Sequence, residues 1–164
     1  MKNMSVIIRP ICKEEIPALD EFLYQAIFVP EGETPPERAI IFRPELQVYV
    51  AGFGTQKNDH AFVADADGKI IGAAWVRIMD DYGHVDDDTP SFALSVLPRW
   101  RGKGIGSRLM QGILAHLDEL GYEQTSLAVQ KANDAVRLYR RLGFETVDEN
   151  EQEYIMIRKS RRQG

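Results

Sequence analysis

Between Leu97 and Ser107 the chain reads LPRWRGKGIGS, which sets Gly102, Gly104 and Gly106 at alternate positions. The residues before this run, Ser91 to Leu97, alternate Phe92, Leu94 and Val96 against Ala93, Ser95 and Leu97, the period of a strand. The residues after it, Gly104 to Leu120, carry Ile105, Leu109, Ile113, Leu117 and Leu120 on one helical stripe, and Gly121 is a natural residue to end that helix. The junction of strand, glycine turn and helix commits the chain to an arrangement of mixed α and β structure. It is also a place where N–H groups at a helix start converge on an anion. Glycines let a phosphate approach the main chain closely. Arg99, Arg101, Lys103 and Arg108 surround the turn in a chain whose net charge is −5, so the local positive patch argues for a polyanionic ligand. Two common nucleotide motifs fail on spacing. A P-loop would need glycine at Leu97 and a hydroxyl residue at Gly104, and a dinucleotide fingerprint would need glycine at Leu109 or Ser107.

The 164 residues, 44% of them hydrophobic and 27% charged, fit one soluble domain, read as 1–164 with a flexible polar tail at 158–164. The acidic balance, 20 Lys+Arg against 25 Asp+Glu, does not advertise a nucleic-acid or anionic-membrane partner. A single cysteine, Cys12, allows no internal disulfide and suits a reducing compartment. No apolar run reaches the roughly twenty residues of a spanning helix, and MKNMSVIIRP lacks a signal-type stretch. The expectation is a cytoplasmic protein without membrane or nucleic-acid partner.

Ser5–Ile11 reads as a first strand, and Lys13–Phe28 as a helix with Pro17 in its first turn. Residues 29–36 form a loop, and Glu37–Phe42 and Pro44–Phe53 two short helices split at Pro44. His60–Ala66 and Lys69–Met79 are strands joined by the hairpin signal Asp67-Gly68. Residues 80–90 (DDYGHVDDDTP) connect to the strand before the glycine turn. Gln124–Val129 is a strand, Asn133–Leu142 a helix stopped by Gly143, and Phe144–Asp148 and Glu153–Ile157 are final strands. Early hairpins followed by a βαβ unit imply a mixed sheet with helices on both faces.

At two places the chain resembles the GNAT superfamily of N-acetyltransferases. Arg101-Gly102-Lys103-Gly104-Ile105-Gly106 is similar to that family's central motif. Asn133 to Phe144 (NDAVRLYRRLGF) is similar to its second. The resemblance implies an α+β fold: a mixed, mostly antiparallel sheet, helices on both faces, and a splayed parallel pair, Ser91–Leu97 and Gln124–Val129, at its centre. It implies acetyl transfer from acetyl-CoA to an amine in a ternary complex. Main-chain amides from Arg101 through Gly102, Lys103, Gly104, Ile105 and Gly106 to Ser107 would hold the pyrophosphate. The strand edge at Leu94 and Val96 would pair with the pantetheine arm. Asn133 would contact that arm and also cap its own helix. Tyr139 would donate to the leaving thiolate, its alternative role being a core tyrosine beside Val136 and Leu142. A homodimer is common in the family.

An alkyl amine is mostly protonated at pH 7, so a base must take its proton. Ser91–Leu97 holds no carboxylate, which leaves Asp80, Asp81, His84 and Asp86, or a water chain ending on backbone. The run Asp86 to Asp88 could attract a cationic acceptor or be a solvated loop, and its spacing fits no calcium site. The acceptor class stays open: a small amine, an aminoglycoside, a polyamine, an amino acid or a protein N-terminus. So do three rival readings: another acyl-CoA donor, an acyl-CoA-binding sensor or interaction domain without transfer activity, and a nucleic-acid module.

Overall fold

The computed structural model describes residues 5–161. Seven strands form one sheet: β1 (Val6–Pro10), β2 (His60–Ala66), β3 (Lys69–Arg77), β4 (Ser91–Val96), β5 (Gln124–Gln130), β6 (Glu145–Glu149) and β7 (Glu153–Lys159). Their order across the sheet is β1-β2-β3-β4-β5-β7-β6. The β4–β5 pair is parallel and every other pair is antiparallel. This is the mixed sheet that the element order implied, mostly antiparallel as the family resemblance implied. At the β2–β3 turn Asp67 and Gly68 both take positive φ, 51° and 91°, and Asp65 accepts the Gly68 N–H.

Four helices flank the sheet: α1 (Leu19–Ala26), α2 (Pro44–Gln47), α3 (Ile105–Leu120) and α4 (Ala135–Arg141). The stripe Ile105, Leu109, Ile113 and Leu117 of α3 is buried with Ala64, Ala74, Phe92, Leu127 and Tyr139 on one face. Leu19, Phe22 and Leu23 of α1 are buried with Val63, Ala73 and Trp75 on the other. Each face therefore has its own apolar core, and the sheet lies between them.

Three expectations about elements are corrected. The stretch expected as one helix, 13–28, opens as a 3-10 turn, Lys13–Ala18, and becomes α-helical only from Leu19 to Ala26. Pro17 supplies no N–H inside that turn, and Ile27 is already extended. The second pair of helices is shorter than expected: a 3-10 turn, Arg38–Phe42, and the single turn of α2. After Gln47 the carbonyls of Val48 and Ala51 accept from Arg77, and Gly52 and Gly54 take positive φ, which ends regular helix. The tail is likewise shorter than 158–164. Arg158 and Lys159 belong to β7, and Arg158 is buried against Asp118, with both guanidinium nitrogens at 3.1 Å from its carboxylate. Residues 162–164 lie outside the described residues.

Candidate active site

The sheet opens at its centre. β4 and β5 are matched only at Ser91 and Ser126, where the Ser126 N–H donates to Pro90 O at 3.0 Å. Beyond that point the two strands part. On the far side β4 stays paired with β3, and Leu97 N–H donates to Ile71 O. In an antiparallel ladder alternate residues turn their N–H and C=O to opposite edges. Odd residues of β4 therefore bond to β3, and the even residues, Leu94 and Val96 among them, turn theirs to the gap. The Val96 carbonyl takes the Nε–H of Arg101 at 2.9 Å.

A cleft of about 870 Å³ occupies this opening. Leu94, Val96, Arg101, Asn133 and Tyr139, all anticipated from sequence, line it together. So do Tyr24 to Val29 at the end of α1, Glu31, Pro35 and Pro36 of the following loop, and Ser95. That loop is tied back to α1: Tyr24 Oη donates to Pro36 O at 2.5 Å, and Arg38 pairs with Glu21 and stacks on Tyr24. Glu21 in turn accepts from Gln25 Nε2, and Gln25 accepts from Arg101 through both its carbonyl and its Oε1. Sequence reasoning pointed to the loop at 29–36 but missed the α1 part of this wall. Gln25 and Arg101 stand 76 positions apart, and no local pattern pairs them.

Gly102, Lys103, Gly104, Ile105, Gly106 and Ser107 do not line that cleft; they form the adjoining turn and the first turn of α3. Gly102 and Gly104 take positive φ, 75° and 80°, a region costly for other residues, and a Cβ at either would meet only open space. Among the described residues no side chain caps α3, so its first N–H groups are left unclaimed by the helix. Ile105 is buried in the core, so only its main chain is available at the turn. Of the four cations expected around the turn, Arg101 is engaged as above, and Arg108 donates to Val6 O at 2.8 Å on β1.

Tyr139 packs edge-on against Phe144, centroids 5.8 Å apart, with 9% of its surface exposed. Burial pushes its phenol up to about 12, so the hydroxyl stays protonated at neutral pH and can only donate as an acid. It is a core residue, one of the two alternatives weighed from sequence, and it also lines the cleft. Asn133 Oδ1 accepts the Ala135 N–H at 2.9 Å, but α4 begins one residue later than expected, with Asp134 and not Asn133 at its N-cap position.

The four base candidates separate. Asp80 is exposed. Asp86 accepts from Thr89 Oγ1 and the Asp88 N–H, a turn cap that lowers its pKa. His84 Nε2 lies 3.3 Å from Asp87 Oδ1, with its Nδ1 buried. Asp81 is half-buried and accepts from Tyr49 Oη at 3.1 Å and Ser91 Oγ at 3.0 Å. Burial raises its pKa against the opposing pull of those hydroxyls.

The sequence profile described as Acetyltransferase (GNAT) family matches residues 21–144. A mycothiol acetyltransferase of Propionibacterium freudenreichii is 34% identical over 84 residues, 51% of this chain and 26% of that protein. The match thus spans about a quarter of that relative's length. The ribosomal protein bS18-alanine N-acetyltransferase of Haemophilus influenzae is 30% identical over 115 residues, 66% of this chain and 75% of that one. Among solved structures, the ribosomal-protein-S18-alanine N-acetyltransferase of Escherichia coli superposes with a TM-score of 0.67 at 18% identity, covering 98% of this chain and 97% of that one. The PaiA N-acetyltransferase of Thermoplasma acidophilum in complex with coenzyme A gives 0.69 at 20% identity, covering 95% and 99%. At such identities the structural likeness establishes the fold alone.

Proposed function

Because this chain belongs to the GNAT acetyltransferase family, we propose that it transfers the acetyl group of acetyl-CoA directly to an amine. The observation that carries this reading is the joining of the open β4 edge, the glycine turn and Tyr139 around one gap in the sheet. Acetyl-CoA supplies the acetyl thioester. The main-chain groups of Leu94 and the N–H of Val96, whose carbonyl already accepts from Arg101, suit pairing with an extended amide-bearing arm. The N–H groups from Gly102 to Ser107, with Lys103 beside them, suit a pyrophosphate, whereas the Arg101 N–H already donates to Pro98 O at 3.3 Å. Asn133, at the rim, is in reach of the same arm, and Tyr139 gives its proton to the departing sulfur.

The acceptor enters from the α1 side, along Tyr24, Phe28 and the loop to Pro36. Acceptor classes named for similar proteins are a ribosomal protein's alanine, mycothiol and spermidine. The first of these comes from a relative that this chain covers over most of its length, and we take a protein or peptide N-terminus as the first acceptor to try. A sensor without transfer activity is not favoured, since the similar proteins are named for their transferase activities. A cytoplasmic setting, where the exposed thiol of Cys12 stays reduced, fits this reading.

The test is calorimetric titration with acetyl-CoA, with ATP and NAD as controls. It is followed by a screen of an alanyl peptide, spermidine and aminoglycosides for free-thiol release. Selective binding of acetyl-CoA and turnover of one amine are expected. Absence of acetyl-CoA binding would overturn the assignment.

A further inference from the structure

The connection between β3 and β4 crosses the crotch of the open sheet. Asp81 accepts from Ser91 Oγ on β4, and two residues later the Gly83 carbonyl accepts from Ser126 Oγ on β5 at 2.8 Å. Ser91 and Ser126 are the one matched pair between those strands. Gly83 lies against the β5 main chain so closely that a Cβ there would stand 3.0 Å from Ala128 N and 3.1 Å from Leu127 C. The close approach pins the segment, and with it Asp81, at the point where the gap begins.

Side-chain alternation fixes the face. On β4, Ala93 and Leu97 pack in the α1-side core and Ser95 Oγ donates to Phe22 O of α1, so Ser91 shares that face. Tyr139 belongs to the opposite core. The cleft therefore has the Tyr139 phenol on one face, and the closed end of the gap carries a half-buried carboxylate on the other. The acceptor amine approaches from the carboxylate's side.

We propose that Asp81 is the proton acceptor for the incoming amine, with Tyr49 as the residue that positions it. This rests on the acetyltransferase reading above. Asp81 takes one proton from the ammonium and passes it to solvent, to which it is partly open. The freed nitrogen lone pair forms the N–C bond to the thioester carbonyl, and the C–S bond breaks with its electron pair on sulfur. Tyr139 protonates that sulfur and regains a proton from solvent, which receives the second proton lost by nitrogen as the amide forms. The groups facing Asp81 are Tyr49 from the segment after α2, Ser91 of β4, and the main chain of its own loop at Gly83. Glu153 of β7 acts on Tyr49, whose phenol is raised by burial and by the charges of Asp81 and Glu153. A raised Asp81 is a better proton acceptor than an ordinary surface carboxylate, and the Ser91 and Gly83–Ser126 hydrogen bonds hold it where β4 and β5 begin to part.

The experiment uses the full chain, acetyl-CoA, and an alanyl peptide and spermidine as acceptors. For Asp81→Asn the expected result is a fall in kcat/KM of about 100-fold at pH 7, with acetyl-CoA affinity unchanged. The variant's rate should then climb about tenfold per pH unit toward the amine pKa, because the substrate must arrive already deprotonated. Tyr49→Phe keeps the carboxylate and removes one donor to it. It should move the acid limb of the wild-type profile to higher pH, and it tests the proposal if Asp81→Asn fails to fold. An active wild type with an unchanged rate and profile in Asp81→Asn, or no shift in Tyr49→Phe, overturns the proposal alone. A wild type that transfers to no amine overturns the acetyltransferase reading and this one with it.

Discussion

In Tyr139 packing and the proposed chemistry ask for the same residue. Its ring fills the core beside Phe144, the residue lines the cleft, and burial holds the proton on its hydroxyl. The folded pKa of about 12 lies above the unfolded value, so this burial contributes stability in full below about pH 10. The contribution is lost as pH rises from there through about 12. An alkaline fall in activity below pH 10 would therefore come from another group. Tyr139→Phe keeps the packing and removes the donor. We expect kcat to drop by about 100-fold while calorimetry gives a nearly unchanged acetyl-CoA affinity. Tyr139 was legible because its spacing from Asn133 and Gly143 repeats a motif. Gln25 was not, since its role exists only once α1 lies against β4.

The segment from Val48 to Asp59 shows how an element can be hidden from local pattern. Its apolar residues suggested a helix running to Phe53, yet after Gln47 the chain is a set of turns. Those turns are organised by Arg77 of β3, whose guanidinium pairs with Asp59 at 3.1 Å and donates to Val48 O and Ala51 O. Asp59 in turn accepts the N–H groups of Gly54 and Gln56. The pair is almost wholly buried, with 3% and 0% of the side chains exposed, so removing one partner strands the other. Arg77→Met should cost about 3–5 kcal/mol, read as a lower urea midpoint at unchanged m-value. By contrast, the β2–β3 hairpin and α3 were read to within a few residues. A two-residue turn signal and an unbroken apolar stripe act over distances that the sequence itself spans.

For the molecule as a whole, the opening of the sheet between β4 and β5 couples ligand binding to stability. A ligand that spans the glycine turn and the β4 edge binds the folded chain only. At about 100 times its Kd it should add about 2.7 kcal/mol. For a domain of this size that is a rise in Tm of roughly 5–10 °C. Differential scanning fluorimetry with acetyl-CoA checks this, and Gly104→Glu, which sets bulk and negative charge over the turn, should abolish the rise. A rise that survives in that variant would remove the turn from the binding site.

Local pattern was enough to order the strands and helices, to assign the sheet its mixed character, and to mark the turn and the Asn133–Phe144 stretch. Periodicity, turn chemistry and helix caps act between neighbours, and neighbours are what a sequence displays. The Arg101–Gln25 contact, the Arg77–Asp59 pair, and the choice of Asp81 among four acidic or histidine candidates came from folding alone. Each depends on groups far apart in the chain meeting at a shared depth. Burial, which raises Tyr139 and Asp81 together, belongs to the packed molecule and to no segment of it.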